Sequence, residues 1–185
     1  HKWNIEIIKF IIPLAFVGVL IGTFTFSYLT NDHIRMIIGL MAIIFCLDYY
    51  FRKDSDKPKK PSKFASYFWP SLSGFTSFSI HAGGLPLSFY LLPMRLDRTM
   101  YVATAGLFYL LINLFKIFPY AYLGEMNFEN IYTSLLLLPL APLGVYFGAY
   151  LVDKIGQDWF YKIGYFCTLL AGCKLFYDGS IKLFL

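Results

Sequence analysis

Charge is what this sequence has least of. Asp, Glu, Lys and Arg make up 15% of its 185 residues, against roughly a quarter in water-soluble globular domains, which excludes a soluble enzyme or binding module of ordinary composition. Cysteine is scarce too. The three present, Cys46, Cys167 and Cys173, all lie inside apolar segments. An odd number of such thiols argues against a disulfide framework, and their spacing suits no metal, so neither metal nor cofactor is expected. The chain opens on His1 rather than Met and lacks the charged start, short apolar core and cleavage site of a signal peptide. It is expected to be truncated at its start.

Apolar residues are what the chain has in abundance: 58% are hydrophobic and 21% aromatic. A spanning helix needs about 20 mostly apolar residues, and candidates lie at 5–28, 34–50, 66–92, 99–118, 131–150 and 160–177. They predict an all-α integral membrane protein, a polytopic helical bundle in the cell membrane. The net charge of +5 does not signal nucleic acid, because six of the sixteen basic residues sit in one linker, Arg52 to Lys63. Between membrane segments that linker reads as a cytoplasmic loop. The bilayer is the expected partner.

Residues 71–93 interrupt the apolar pattern. Ser79, His81, Gly83, Gly84 and Pro86 fall within eight residues, and Gly and Pro are poor at continuing a helix. A break inside lipid exposes backbone groups that must be buried in protein or line a cavity, and broken helices of this kind build the substrate sites of many secondary transporters. The charge pattern favours a re-entrant hairpin over a single kinked span. A hairpin puts the linker, Arg95, Arg98, Lys154 and Lys162 on one side of the membrane, with Glu125 and Glu129 on the other.

A half-helix starting near Leu85 and Pro86 would turn unpaired N–H groups and its positive dipole end toward the break, a site suited to an anion. The candidate substrate-binding residues are therefore Ser79, His81, Gly83, Gly84, Pro86, Ser88, Asn113 and Lys116. Ser79 and Ser88 offer hydroxyls and Asn113 an amide. His81 is either a pathway residue or a satisfied hydrogen-bonder. Lys116 either adds a positive charge beside the half-helix N-terminus or snorkels to the headgroups. Gly83 and Gly84 are expected to hold a backbone conformation closed to branched side chains, rather than only to allow close packing. Asn113 continues a small and polar stripe through Thr99, Ala103, Gly106 and Leu110, the face expected to pack toward the break. Ser71, Ser73, Thr76 and Ser77 read mainly as packing residues.

The chain also repeats itself. Residues 13–22 match 139–148 at six positions in ten, keeping Pro and both Gly in register, and Ile38-Gly39 then matches Ile163-Gly164. This indicates an internal duplication, inverted if the hairpin is right. Residues 1–50 would be the closing two helices of a first unit whose start is missing, 51–65 the linker, and 66–185 a second unit with the broken helix and three more. Gly18 and Gly22 allow close helix approach, within the chain or along a homodimer seam. A homo-oligomer is thus one expectation.

Ser73-Gly74, Gly83-Gly84-Leu85-Pro86 and Tyr90-Leu91-Leu92, then a basic turn, a Thr-opened helix with Asn113 and Lys116, and two closing helices with paired glycines, resemble the second half of the sulfite exporter TauE/SafE family. The resemblance covers about residues 60–178, and 5–50 is similar to the closing helices of the first half. It departs at His81 and Ala82, where members often have more glycine, and the first half's break is absent. The resemblance implies a secondary transporter of small anions, typically sulfur oxyanions or organosulfonates, and not an enzyme. Two other classes stay open. A non-transporting membrane scaffold would explain the glycine pairs but not the polar break, and an intramembrane enzyme would use Ser79 with His81, which two apart do not face each other on a helix.

The hairpin reading makes a direct prediction about sidedness. Cysteines placed at Ser55 and Leu96, with the native thiols removed, should both resist a membrane-impermeant thiol reagent in intact cells. Labelling of one and protection of the other would rule the hairpin out.

Overall fold

The computed structural model describes residues 3–25, 30–51, 57–124, 135 and 138–184. Within them are seven α-helices and no strand: α1 Ile5–Thr25, α2 Asn31–Phe51, α3 Lys63–Ser79, α4 Gly84–Leu91, α5 Arg98–Tyr122, α6 Leu140–Lys154 and α7 Gln157–Phe184. A single 3-10 turn, Leu92–Met94, follows α4. Three of the helices, α1, α2 and α5, are long and apolar enough to cross a membrane. Large apolar side chains such as Val17, Leu20, Ile44 and Leu114 point outward, as lipid contact allows. Most of the opening of the 131–150 segment, together with Arg52, Lys53, Glu125 and Glu129, lies outside the described residues.

Local chemistry sets where helices begin. Asn4 Oδ1 accepts from Ile7 N at 3.1 Å at the head of α1, Ser62 Oγ from Ala65 N at 3.2 Å at the head of α3, and Asp97 Oδ1 from Thr99 N at 2.9 Å at the head of α5. Each carries an N-cap residue whose oxygen meets an otherwise unpaired donor.

The stretch predicted to break does turn back on itself. Ser73 Oγ donates to Gly83 O at 2.7 Å, the rings of Trp69 and Phe89 lie 5.0 Å apart, and Lys59 N donates to Pro93 O at 2.8 Å. The pairing runs 73 with 83, 69 with 89 and 59 with 93, which is antiparallel. Thus α3 and α4 form a hairpin whose two ends meet beside the basic linker.

Around the hairpin, α1 packs against α3 and α2 against α7, through glycines. A Cβ on Gly18 would fall inside the backbone of Ser71, and one on Gly74 inside the backbone of Ala15. Gly39 and Gly172 face each other in the α2–α7 seam, where a Cβ on Gly172 would come within 2.6 Å of Ala42 Cβ. The small residues at 18 and 22 are therefore used inside the chain, as the within-chain reading of their spacing expects. The physical reason is that each helix brings a glycine against the other's backbone, Gly18 against Ser71 and Phe75 and Gly74 against Ala15, so the two can approach closely.

Direction along the bundle agrees with an inverted plan. The head of α1 lies beside α5's second turn, with Asn4 N bonded to Thr104 Oγ1 at 3.0 Å. The tail of α6, its counterpart in the repeat, lies at that same end of α5, with Arg98 Nη2 donating to Asp153 O at 3.4 Å. The head of one copy and the tail of the other therefore lie at the same end of α5, as an inverted plan requires.

Gly74→Ala should lower stability by about 1–3 kcal/mol or more, as overpacking against backbone does. Gly144→Ala, on α6 with nothing within 4 Å of its added Cβ, should be neutral or mildly stabilising. Thermal unfolding of the detergent-solubilised protein checks both, and equal tolerance of the two would contradict the glycine-mediated α1–α3 contact.

Candidate functional site

A helix that stops in apolar surroundings leaves carbonyls without partners, and the end of α3 shows how this chain supplies them. Thr76 O accepts from both Ile80 N and Ala82 N, each at 3.1 Å. Ser77 O accepts from Lys116 Nζ at 3.0 Å, and the same ammonium reaches Ser77 Oγ at 3.1 Å. Phe78 O accepts from the Tyr120 hydroxyl at 2.8 Å. The last turn of α3 is thus capped by two side chains of α5, one of them a cation at the negative end of the helix dipole.

Lys116 is accordingly buried, 5% exposed, with its amine turned to the C-terminal end of α3. This excludes the headgroup reading: the amine is held by Ser77, which packs directly against Gly83 at the start of α4. The face of α5 turned inward runs through Thr104, Phe108, Ile112 and Lys116, while Gly106, Leu110 and Asn113 are exposed. The small stripe does not pack toward the break, because binding of Lys116 and Tyr120 to α3 fixes the rotation of α5.

The glycines also act differently from expectation. Gly83 has φ −60° and Gly84 is helical, so neither needs left-handed backbone. Gly83 instead permits close approach, since an added Cβ would lie 2.6 Å from Ser73 O and from Ser77 Cβ. Gly84 is looser, with Tyr109 Oη at 3.3 Å its one near neighbour. The left-handed residue is His81, at φ 55°, where a helix commonly ends on glycine.

Beside the break is a cavity of about 450 Å³. The hairpin contributes Ile80, His81, Ala82, Gly84, Leu85 and Ser88, α5 contributes Tyr109, and α7 contributes Cys167, Thr168, Ala171 and Leu175. Of the eight residues proposed from sequence, His81, Gly84 and Ser88 line it. Ser79, Gly83 and Pro86 are buried behind it, Lys116 stands one layer away, and Asn113 lies outside the lining. The α7 wall was not foreseen. Its signal was faint: Thr168, lying between Cys167 and Cys173 in an otherwise apolar run, with its hydroxyl spent on Gly164 O at 2.8 Å.

The family model for the sulfite exporter TauE/SafE matches residues 1–175. The chain belongs to that family. No curated protein and no solved structure matches it. The family is one of membrane transporters rather than enzymes, and the three helices long and apolar enough to cross a membrane fit it. The Ser79–His81 pair fits this, since Ser79 is buried outside the cavity wall that His81 joins.

Two substitutions separate close approach from backbone conformation. Gly83→Ala should destabilise the hairpin by about 1–3 kcal/mol through overpacking, whereas Gly84→Ala should be tolerated. His81→Gly should gain about 1 kcal/mol by removing the cost of a side chain in the left-handed region. Unfolding in detergent reads all three, and a Gly84→Ala loss as large as that of Gly83→Ala would overturn the assignment.

Proposed function

We propose that this chain carries a small sulfur oxyanion, sulfite, a sulfonate or a related anion, across the cell membrane, with the cavity at the hairpin break as its site. The observation that carries the reading is the pairing of that cavity with a buried cation that has carbonyl, hydroxyl and ring partners but no carboxylate among the described residues. The start of α4 borders the cavity through Gly84 and Leu85, with Ser88 in the next turn, and the N-terminal end of a helix favours negative charge. On the far side of the break the Lys116 ammonium binds one carbonyl and one hydroxyl of Ser77, and no carboxylate pairs with it among the described residues. A positive charge in apolar surroundings with no counter-ion is only partly offset by a carbonyl and a hydroxyl. An anion entering the cavity offsets it.

In this reading the residues divide the work. The Gly84 N–H and the Ser88 hydroxyl contact the anion and set its orientation, since Leu85 N and Leu87 N are already bonded to Ala82 O and Gly83 O and Pro86 has no N–H, and His81 stands at the mouth. Lys116 acts through its field, since at low dielectric a charge is felt beyond contact distance. Sulfite and sulfonates present several oxygens to such donors, and a cavity of about 450 Å³ holds one with some of its water. Membership of the TauE/SafE family supports this class of substrate.

Radiolabelled sulfite uptake into proteoliposomes holding the native protein tests the reading, and absence of flux for sulfite and sulfonates would leave the scaffold alternative. Lys116→Gln keeps a donor for Ser77 but removes the charge. It should raise the half-saturating sulfite concentration roughly tenfold, equivalent to about 1.4 kcal/mol. An unchanged value would mean that the anion does not sense Lys116.

A further inference from the structure

Away from the cavity, the short turn between the hairpin and α5 is held by a dense polar network that the anion site does not use. The Leu96 carbonyl accepts from Gln157 Nε2 and from the Tyr161 hydroxyl, each at 2.7 Å. Gln157 Oε1 in turn accepts from Arg98 N at 3.0 Å. Arg95 pairs with Asp158 at 3.2 Å and lies over the Tyr161 ring, 5.1 Å from its centroid. These bonds tie the basic end of the hairpin to the first two turns of α7, the helix whose later turns form the cavity wall. Between network and cavity lies a buried plug of Cys46, Tyr49, Leu92, Tyr161 and Tyr165, with the rings of Tyr49 and Tyr165 stacked 3.6 Å apart.

We propose that the network on the Leu96 carbonyl is a latch that closes the basic-side entrance to the break cavity, and that transport requires Gln157 and Tyr161 to release it. The proposal rests on reading the chain as a transporter, since only a transporter needs each entrance closed in turn. Its physical basis is that α7 serves both features. Swinging the head of α7 away from Leu96 would part the Tyr49–Tyr165 stack and expose the cavity to the basic side. The bonds that resist this are few, directional and centred on one carbonyl, which suits a two-state element.

The native thiol of Cys167 lines the cavity and reports on access to it. In the native full-length protein, an impermeant thiol reagent should modify the Cys167 peptide, read by mass spectrometry, from outside intact cells but not from the exposed cytoplasmic face of inside-out vesicles. Gln157→Leu and Tyr161→Phe should each raise modification from the cytoplasmic face by roughly three- to tenfold, the range set by the net worth of a buried hydrogen bond. Tyr161→Phe removes one oxygen only and preserves the ring in the plug, so it keeps the test valid if Gln157→Leu fails to fold. Equal reactivity from both faces in the native protein, or no increase in Tyr161→Phe with native-like thermal unfolding, overturns the latch. Sulfite flux is scored separately: altered labelling without flux upholds the latch and sinks the substrate assignment, and flux with unaltered labelling does the reverse.

Discussion

The last turn of α3 imposes the constraint on which the rest of the structure depends. A helix ending inside an apolar bundle presents carbonyls that no water can reach, each costing about 1–3 kcal/mol if left unmet, and here α5 meets two of them with Lys116 and Tyr120. That requirement rotates α5 until Thr104, Phe108, Ile112 and Lys116 face inward. The same rotation carries Gly106 and Asn113 outward. Once α5 is set, α1 fits alongside, with Phe16 stacked on Phe115 and Gly18 against the backbone of α3. A polar debt at one helix end thus orders three helices.

The return arm of the hairpin is held by a second bond of the same kind. Gly83 can lie against Ser73 and Ser77 only because it lacks a Cβ, and this closeness lets Ser73 Oγ reach Gly83 O. Close approach and carbonyl satisfaction are therefore one feature. The strain of the reversal falls on His81, whose left-handed backbone is tolerated by a histidine more readily than by a branched residue. Its side chain is consequently delivered to the cavity.

Much of this was legible in the residues, and what was not has a physical reason. The break and the turn-back could be read because Gly and Pro report directly on helix continuity. The role of Gly83 could not, because glycine permits both left-handed backbone and close approach, and sequence alone does not say which use is made of it. Asn113 was misplaced for a related reason. In lipid the apolar contrast between buried and exposed faces fades, so a small-residue stripe marks a face able to pack without marking the face that does. The α7 wall was hardest to see, since Cys167, Thr168 and Ala171 differ little from residues that simply pack.

The two copies of the repeat make that last point most clearly. Pro13 to Gly22 and Pro139 to Gly148 share both glycines in register, yet Gly18 and Gly22 are closed against Ser71, Phe75 and Phe78 while Gly144 and Gly148 have nothing within 4 Å. Identical spacing has led to opposite surroundings. The difference lies in what stands opposite, for α3 brings Gly74 and the backbone of Ser71 and Phe75 to α1, and no other hairpin is present among the described residues to do the same for α6. Paired glycines lower the barrier to contact between two backbones, but the attraction that completes it comes from the partner's own shape and from bonds such as Asn4 to Thr104 that hold the helix in place. In this fold the motif sets how close helices can come, and the polar groups set which ones do.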